Sequence, residues 1–128
     1  AANTPALFDR ARSLNVGVVT DLEAAQPEAS LHMQRFIEAS SAIYLTFCLD
    51  VLPPAVAPGV SAPAGLGVAL HRIVTLLGDA LAACGHGRPG SKLVLADIAE
   101  LNPRFDTDGR TARTAARLAY ELAAIHRP

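Results

Sequence analysis

The sequence predicts an α/β domain built as a parallel sheet with helices on both faces, three layers in the order αβα. Two observations lead there. Three short runs are almost wholly apolar and end in acids: "VGVVTD" at 16–21, "IYLTFCLD" at 43–50 and "KLVLADIAELNP" at 92–103. They alternate along the chain with stretches whose apolar residues recur at helical spacing. Strands without polar alternation are those of parallel sheets covered above and below, and helix–strand alternation closes through right-handed crossovers into such a sheet.

Each element follows in turn. "NTPALFDRARSLN" opens a helix, with Asn3 or Thr4 as the N-cap, Pro5 at the first helical position, and Ala6, Leu7, Ala11 and Leu14 at helical spacing. The strand ending in Asp21 comes next. A second helix from Glu28 to Ser40 sets Met33, Phe36 and Ile37 on one side. "IYLTFCLD" is the second strand, and a loop shaped by Pro53, Pro54, Pro58 and Pro63 follows it. A third helix, about Leu70 to Ala83, carries Ile73, Val74, Leu76, Leu77 and Leu81. After the turn "GHGRPG" the third strand ends in carboxylates. The last helix, about Gly109 to His126, puts Ala112, Ala115, Ala116, Ala119, Leu122 and Ala123 on its packing side and Arg110, Arg113 and Arg117 on the other.

Bulk properties narrow the function. A chain of 128 residues suits one domain with one core. It is 51% hydrophobic and 18% charged, a composition that folds. A net charge of -1, from 11 basic and 12 acidic residues, gives no field that would gather nucleic acid or an anionic membrane. The apolar runs fall well short of the roughly 20 residues that cross a bilayer, and no secretory leader is evident, so the expected compartment is cytoplasmic. Cys48 and Cys84 have no CxxC spacing, which fits reduced thiols rather than a disulfide frame or structural zinc. The chain starts at Ala1 and its sole methionine is Met33, which suggests processing or excision from something longer.

Ligands of open parallel sheets bind beyond the carboxyl ends of the strands. Asp21, Asp50, Asp97 and Glu100 are expected at that edge. Clustered carboxylates repel unless a cation lies among them, which points to an oxygen-ligated metal or to recognition of an amidine or guanidine. Singly, each acid reads first as a turn or cap residue. Other motifs fail on context. "GHGRPG" meets GxGxxG through Gly85, Gly87 and Gly90 but follows a helix and precedes a strand, the reverse of the dinucleotide fingerprint. "DTDG" at Asp106 lacks the later ligands of a calcium loop, so Asp106 or Asp108 caps the last helix. His32, His71, His86 and His126 lack metal-pair spacing, and Cys84 reads as a small buried apolar residue.

Two longer stretches, "TFCLDVLPPAVAPGVSAP" and "LADIAELNPRFDTDGRTARTAARLAYEL", resemble the second half of the ureohydrolases, the arginase and agmatinase superfamily, and within it formimidoylglutamase. The matching pattern is an Asp-x-Asp strand end, an Ala-Pro-Gly loop, Asp-Ile-x-Glu-x-Asn-Pro, then an Asp before a Thr-Ala-x-x-Ala-Ala helix. Here these are Asp50, "APGVSAP", Asp97 to Pro103, Asp106, and Thr111 to Ala116. "ANTPALFDRA" adds to the likeness, which extends over nearly the whole chain.

This resemblance implies residues 1–128 as one partial domain, the carboxyl-terminal half of an arginase-like fold. It implies hydrolysis of a linear amidine C–N bond, as in N-formimidoyl-L-glutamate during histidine degradation, by a hydroxide held between two manganese ions. Asp50 matches the second aspartate of the metal motif, Glu100 the carboxylate that pairs with the amidino group, and Asp97 an acid expected to make supporting hydrogen bonds. Cys48 occupies the position of the other motif aspartate, and a thiolate suits manganese poorly. The family's histidine motif and Asp-Ala-His-x-Asp motif have no counterpart here. The expectation is therefore no tightly bound metal pair and no activity in this chain alone, with an amino-terminal half or a second copy as partner. The rival expectation is a non-catalytic α/β interaction module that has lost its metal site.

Overall fold

The structure is a computed structural model, and it describes residues 3–124. His126, expected in the last helix, lies outside the described residues. Helix α1 (Pro5–Ser13) starts as expected, with Thr4 at the cap and Pro5 in the first turn, yet it buries none of its residues. α3 (Glu28–Ala39) and α4 (Leu70–Ala83) follow the expected bounds within a residue. α5 spans Arg110–Ala123 behind Gly109, whose φ of 69° suits a residue without a Cβ.

Among the described residues the sheet has two strands, β1 (Ile43–Cys48) and β2 (Leu93–Ala99), paired in parallel. The expected strand at 16–21 is absent. A strand exists only through a neighbouring strand that pairs with its backbone groups, and among the described residues none lies beside Val16–Thr20. Thr20 instead caps a one-turn helix, α2 (Asp21–Ala24). Its hydroxyl accepts from the Glu23 amide while the Glu23 carboxylate accepts from the Thr20 amide at 2.8 Å. These bonds hold the Glu23 carboxyl below its ordinary pKa.

Alternation along β1 sends Ile43, Leu45 and Phe47 to one face and Tyr44, Thr46 and Cys48 to the other. Leu45 and Phe47 meet the core, where Leu49, Leu52, Val60, Leu77, Leu81 and Leu118 are buried, while Ile43 joins a second, smaller cluster. Leu49, Leu52 and Leu118 are fully enclosed, each contributing about 1.5–3 kcal/mol by leaving water. On the other face Tyr44 and Leu95, paired across the strands, are both exposed. Cys84 is buried beside Ile37, Ile43 and Ala80, as its sequence reading held.

The buried side of α5 is Thr111, Ala115, Leu118 and Leu122, one face at i, i+4, i+7 and i+11. Of the residues expected to pack, Ala112, Ala116, Ala119 and Ala123 are exposed, because the two large side chains of the helix's apolar face, Leu118 and Leu122, turn toward the core and fix the helix rotation. Phe36, expected on the packing side of α3, is 64% exposed, whereas Ile37 is buried.

Between β1 and α4 the chain makes a tethered loop. The Val68 amide donates to the Val51 carbonyl at 2.8 Å, closing it at its base. Gly67, at φ 73°, passes so near Pro53 that a Cβ would lie 2.6 Å from the Pro53 nitrogen.

Candidate active site

The carboxyl end of the two strands collects three of the expected residues. Cys48 ends β1 opposite Ala99, which ends β2. Asp50 follows in a 3-10 turn, Leu49–Val51, and Glu100 is the first residue beyond β2. Glu100 adopts a φ of 73°. A side chain held in the left-handed region away from glycine stores backbone strain, and such residues cluster at functional sites.

Electrostatics tie the three together. Burial pushes the Cys48 thiol up; a hydrogen bond with the Asp50 backbone pulls the other way, and the charges of Asp50 and Glu100 add to the rise. Both carboxylates therefore act on one sulfur from the same end of the sheet. One Asp50 oxygen, Oδ1, is buried without a hydrogen-bond partner, a state that costs free energy in a carboxylate.

Asp97 is placed differently from expectation. It sits inside β2 opposite Thr46, two residues short of the strand end, where its Oδ2 accepts from the Tyr44 hydroxyl and its Oδ1 is buried without a partner. Asp21 is not at a strand end either, since it begins α2. It nonetheless lines the same cavity as Asp50, a space of about 550 Å³ walled also by Val18, Val19, Val51 and the loop around Pro63.

A polar lock steadies this end of the molecule. The Thr111 hydroxyl accepts from the buried Gly59 amide at 2.8 Å, and the Gly59 carbonyl accepts from the Asn102 amide at 2.7 Å. The Asp106 carboxylate accepts from the Thr111 and Ala112 amides at 2.9 and 2.8 Å, capping α5. Asp108 accepts from the Arg110 amide, so both acids considered as caps contribute. Gly59 lies so close to Asp106 that a Cβ would come within 2.4 Å of the Asp106 Cβ. The segment 100–102, with Glu100, is thereby fastened to the loop that follows Asp50.

Sequence reasoning missed the Tyr44 hydroxyl, because no signal in a single strand shows what its neighbour places opposite. It also missed the Thr20–Glu23 capping box by reading Thr20 into a strand, although Ser or Thr followed three residues later by Glu is the signature that could have found it. The residues present do not fit a two-metal centre. Asp50 offers one carboxylate, burial works against the thiolate form of Cys48, and no group of three or more His, Cys, Asp or Glu is arranged to hold a metal among the described residues.

Comparison with known proteins gives the class first. The fold is that of arginases: an arginase from Bacillus caldovelox superposes with a TM-score of 0.80 at 21% identity, covering 99% of this chain and 42% of that one. The Arginase family profile matches residues 2–124, and the chain belongs to the Arginase family. Among curated relatives, a formimidoylglutamase of Vibrio vulnificus is 46% identical over 126 residues, and one of Aromatoleum aromaticum 49% over 126 residues. Each alignment covers 96% of this chain, but only 36% and 35% of the relative. The chain thus spans little more than a third of the length of these relatives. Among the described residues no helix is long and apolar enough to cross a membrane.

Proposed function

We propose that this chain is the carboxyl-terminal part of a cytoplasmic amidine hydrolase acting on N-formimidoyl-L-glutamate, giving glutamate and formamide. Supporting this reading are the names of the relatives and, as the observation that carries it, the gathering of Asp50, Cys48 and Glu100 at one sheet edge with Glu100 in a strained backbone conformation.

The roles follow from the chemistry of each group. Glu100, exposed at the strand end, pairs with the planar amidinium, which a carboxylate can hold through parallel charge-assisted hydrogen bonds. The Asn102 tie to Gly59 keeps the Glu100 backbone in position. Asp97 holds Tyr44 and so stiffens the strand behind the site. In the complete protein a pair of manganese ions would supply hydroxide at neutral pH; this chain adds Asp50 to their ligands and too little else to hold them, so alone it is inactive.

The test is an assay with manganese and formimidoylglutamate, on the chain alone and on the chain co-expressed with the rest of a formimidoylglutamase. Turnover only in the second case is expected. Turnover by the isolated chain would show that the site is already whole. Cys48 favours a second reading, a non-catalytic module. Cys48→Asp in the assembled protein separates the two: a gain in manganese affinity marks an impaired enzyme, and an unchanged affinity marks a module.

A further inference from the structure

β1 and β2 do not keep one register along their length. Ile43 pairs with Leu93, but Tyr44 pairs with Leu95, so Val94 is a surplus residue on β2 and stands 68% exposed. Beyond it the pairing is regular, through Thr46 with Asp97 and Phe47 with Ile98 to Cys48 with Ala99. A bulge of this kind shifts the rest of a strand by one residue and re-aims its side chains.

The start of β2 is anchored through Lys92. Its amide donates to the Cys84 carbonyl at 2.8 Å, and its carbonyl accepts from the Ile43 amide at 2.7 Å. Its ammonium donates to the Ile37 and Glu38 carbonyls, at 3.0 and 2.9 Å, at the end of α3. Continued from that anchor without a bulge, the pairing would set Thr46 opposite Ala96, Phe47 opposite Asp97 and Cys48 opposite Ile98. The Asp97 carboxylate would then turn to the face of Leu45 and Phe47, which meets the apolar core, and Ile98 would leave that core. Glu100 would stand one residue, about 3.3 Å, farther beyond the end of β1.

A polar tie holds the shifted register. On the face away from the core the Tyr44 hydroxyl donates to Asp97 Oδ2 across the two strands. The other oxygen of Asp97 is buried without a partner, so the Tyr44 hydroxyl is the donor this carboxylate has among the described residues. Tyr44 is the first residue of β1 past the bulge, and Asp97 stands three residues before Glu100. The tie therefore lies between the bulge and the site.

We propose that Tyr44 is a positioning residue: by holding Asp97, its hydroxyl pins the register that the Val94 bulge creates and so keeps Glu100 at the end of β1 beside Cys48 and Asp50. Its bearing on the reaction rests on the reading of Glu100 as the group that grips the amidinium. Tyr44 acts through Asp97 and the strand, not on the substrate.

Tyr44→Phe removes the hydroxyl and keeps the ring, which is 57% exposed, and amide hydrogen exchange reads the result. The β2 amides from Asp97 to Ala99 are expected to exchange about tenfold faster than in the parent, while those of Ile43 and Lys92, at the anchored end, stay within about twofold. Asp97→Asn keeps an acceptor oxygen for the hydroxyl and is expected to stay near the parent. Tyr44→Phe added to Asp97→Ala is expected to change nothing further. Unchanged rates in Tyr44→Phe overturn the proposal, and so does equal acceleration along the whole of β2, which marks a general loss of stability. In the assembled protein of the activity assay, Tyr44→Phe is expected to raise KM for formimidoylglutamate about fivefold with kcat nearly unchanged, the pattern of a grip shared by bound substrate and transition state. A loosened strand end with KM unmoved, or with no turnover in the parent assembly, sustains the hold of Tyr44 on the register and refutes the role given to Glu100. A raised KM with unchanged exchange does the reverse.

Discussion

Thr111→Val removes a hydroxyl while conserving shape, at a side chain with no exposed surface. The parent hydroxyl accepts from the Gly59 amide at 2.8 Å. Gly59 is itself buried, so in the variant its N–H has no water to turn to. A buried donor left unpaired costs about 1–3 kcal/mol. Thr111→Ser keeps the hydroxyl and loses one methyl, a change of about 1 kcal/mol. Urea denaturation of the two variants at neutral pH, followed by circular dichroism, gives the comparison. Valine is expected to cost more than serine despite its greater apolar area. If serine is the more damaging, hydrophobic fill dominates this position and the polar lock is not what holds the loop to α5.

Three further outcomes are expected. Partial burial raises the Asp106 pKa, but the amides of Ala112 and Thr111 and the Thr111 hydroxyl outweigh it and hold the group below the ordinary carboxylate value. Its contribution to stability is therefore present above the unfolded pKa and is lost as pH falls through the lower folded one. Asp106→Asn should lower the denaturation midpoint at pH 7 and narrow the gap to the parent as the pH drops below about 4; a gap independent of pH would refute the carboxylate's role. Because burial raises its pKa, Cys48 should react with iodoacetamide at pH 8 several-fold more slowly than a cysteine in a short peptide, read by mass spectrometry of the tryptic fragments. Equal rates would remove the claim that burial works against its thiolate form. Gly67→Ala combines a φ of 73° with a Cβ 2.6 Å from the Pro53 nitrogen, and should cost more than about 2 kcal/mol in the same denaturation assay, whereas a loss under 0.5 kcal/mol would mean that the loop can shift.

The family was legible because its motifs are contiguous. Asp97 to Pro103, and Asp106 with Thr111 to Ala116, each lie within a single element and the turn beside it, so linear spacing carries the pattern. α4 was legible for a related reason, since Ile73, Leu77 and Leu81 repeat at a period that needs only the helix itself. The sequence also placed Asp50 and Glu100 at the ends of their strands, and that is where they stand.

Features that need a second element were decided by the tertiary structure. Val16–Val19 has strand composition, but a strand also requires a neighbour to accept its backbone hydrogen bonds, and among the described residues none lies beside it. The rotation of α5 followed Leu118 and Leu122 rather than the alanines, because the large side chains bury more apolar surface and the helix turns to place them on the core. Asp97 faces Tyr44 only through the register of two strands separated along the chain by the whole of α4. Local chemistry is written residue by residue, and the sequence alone determined it; partnership depends on what packing brings within a few ångströms.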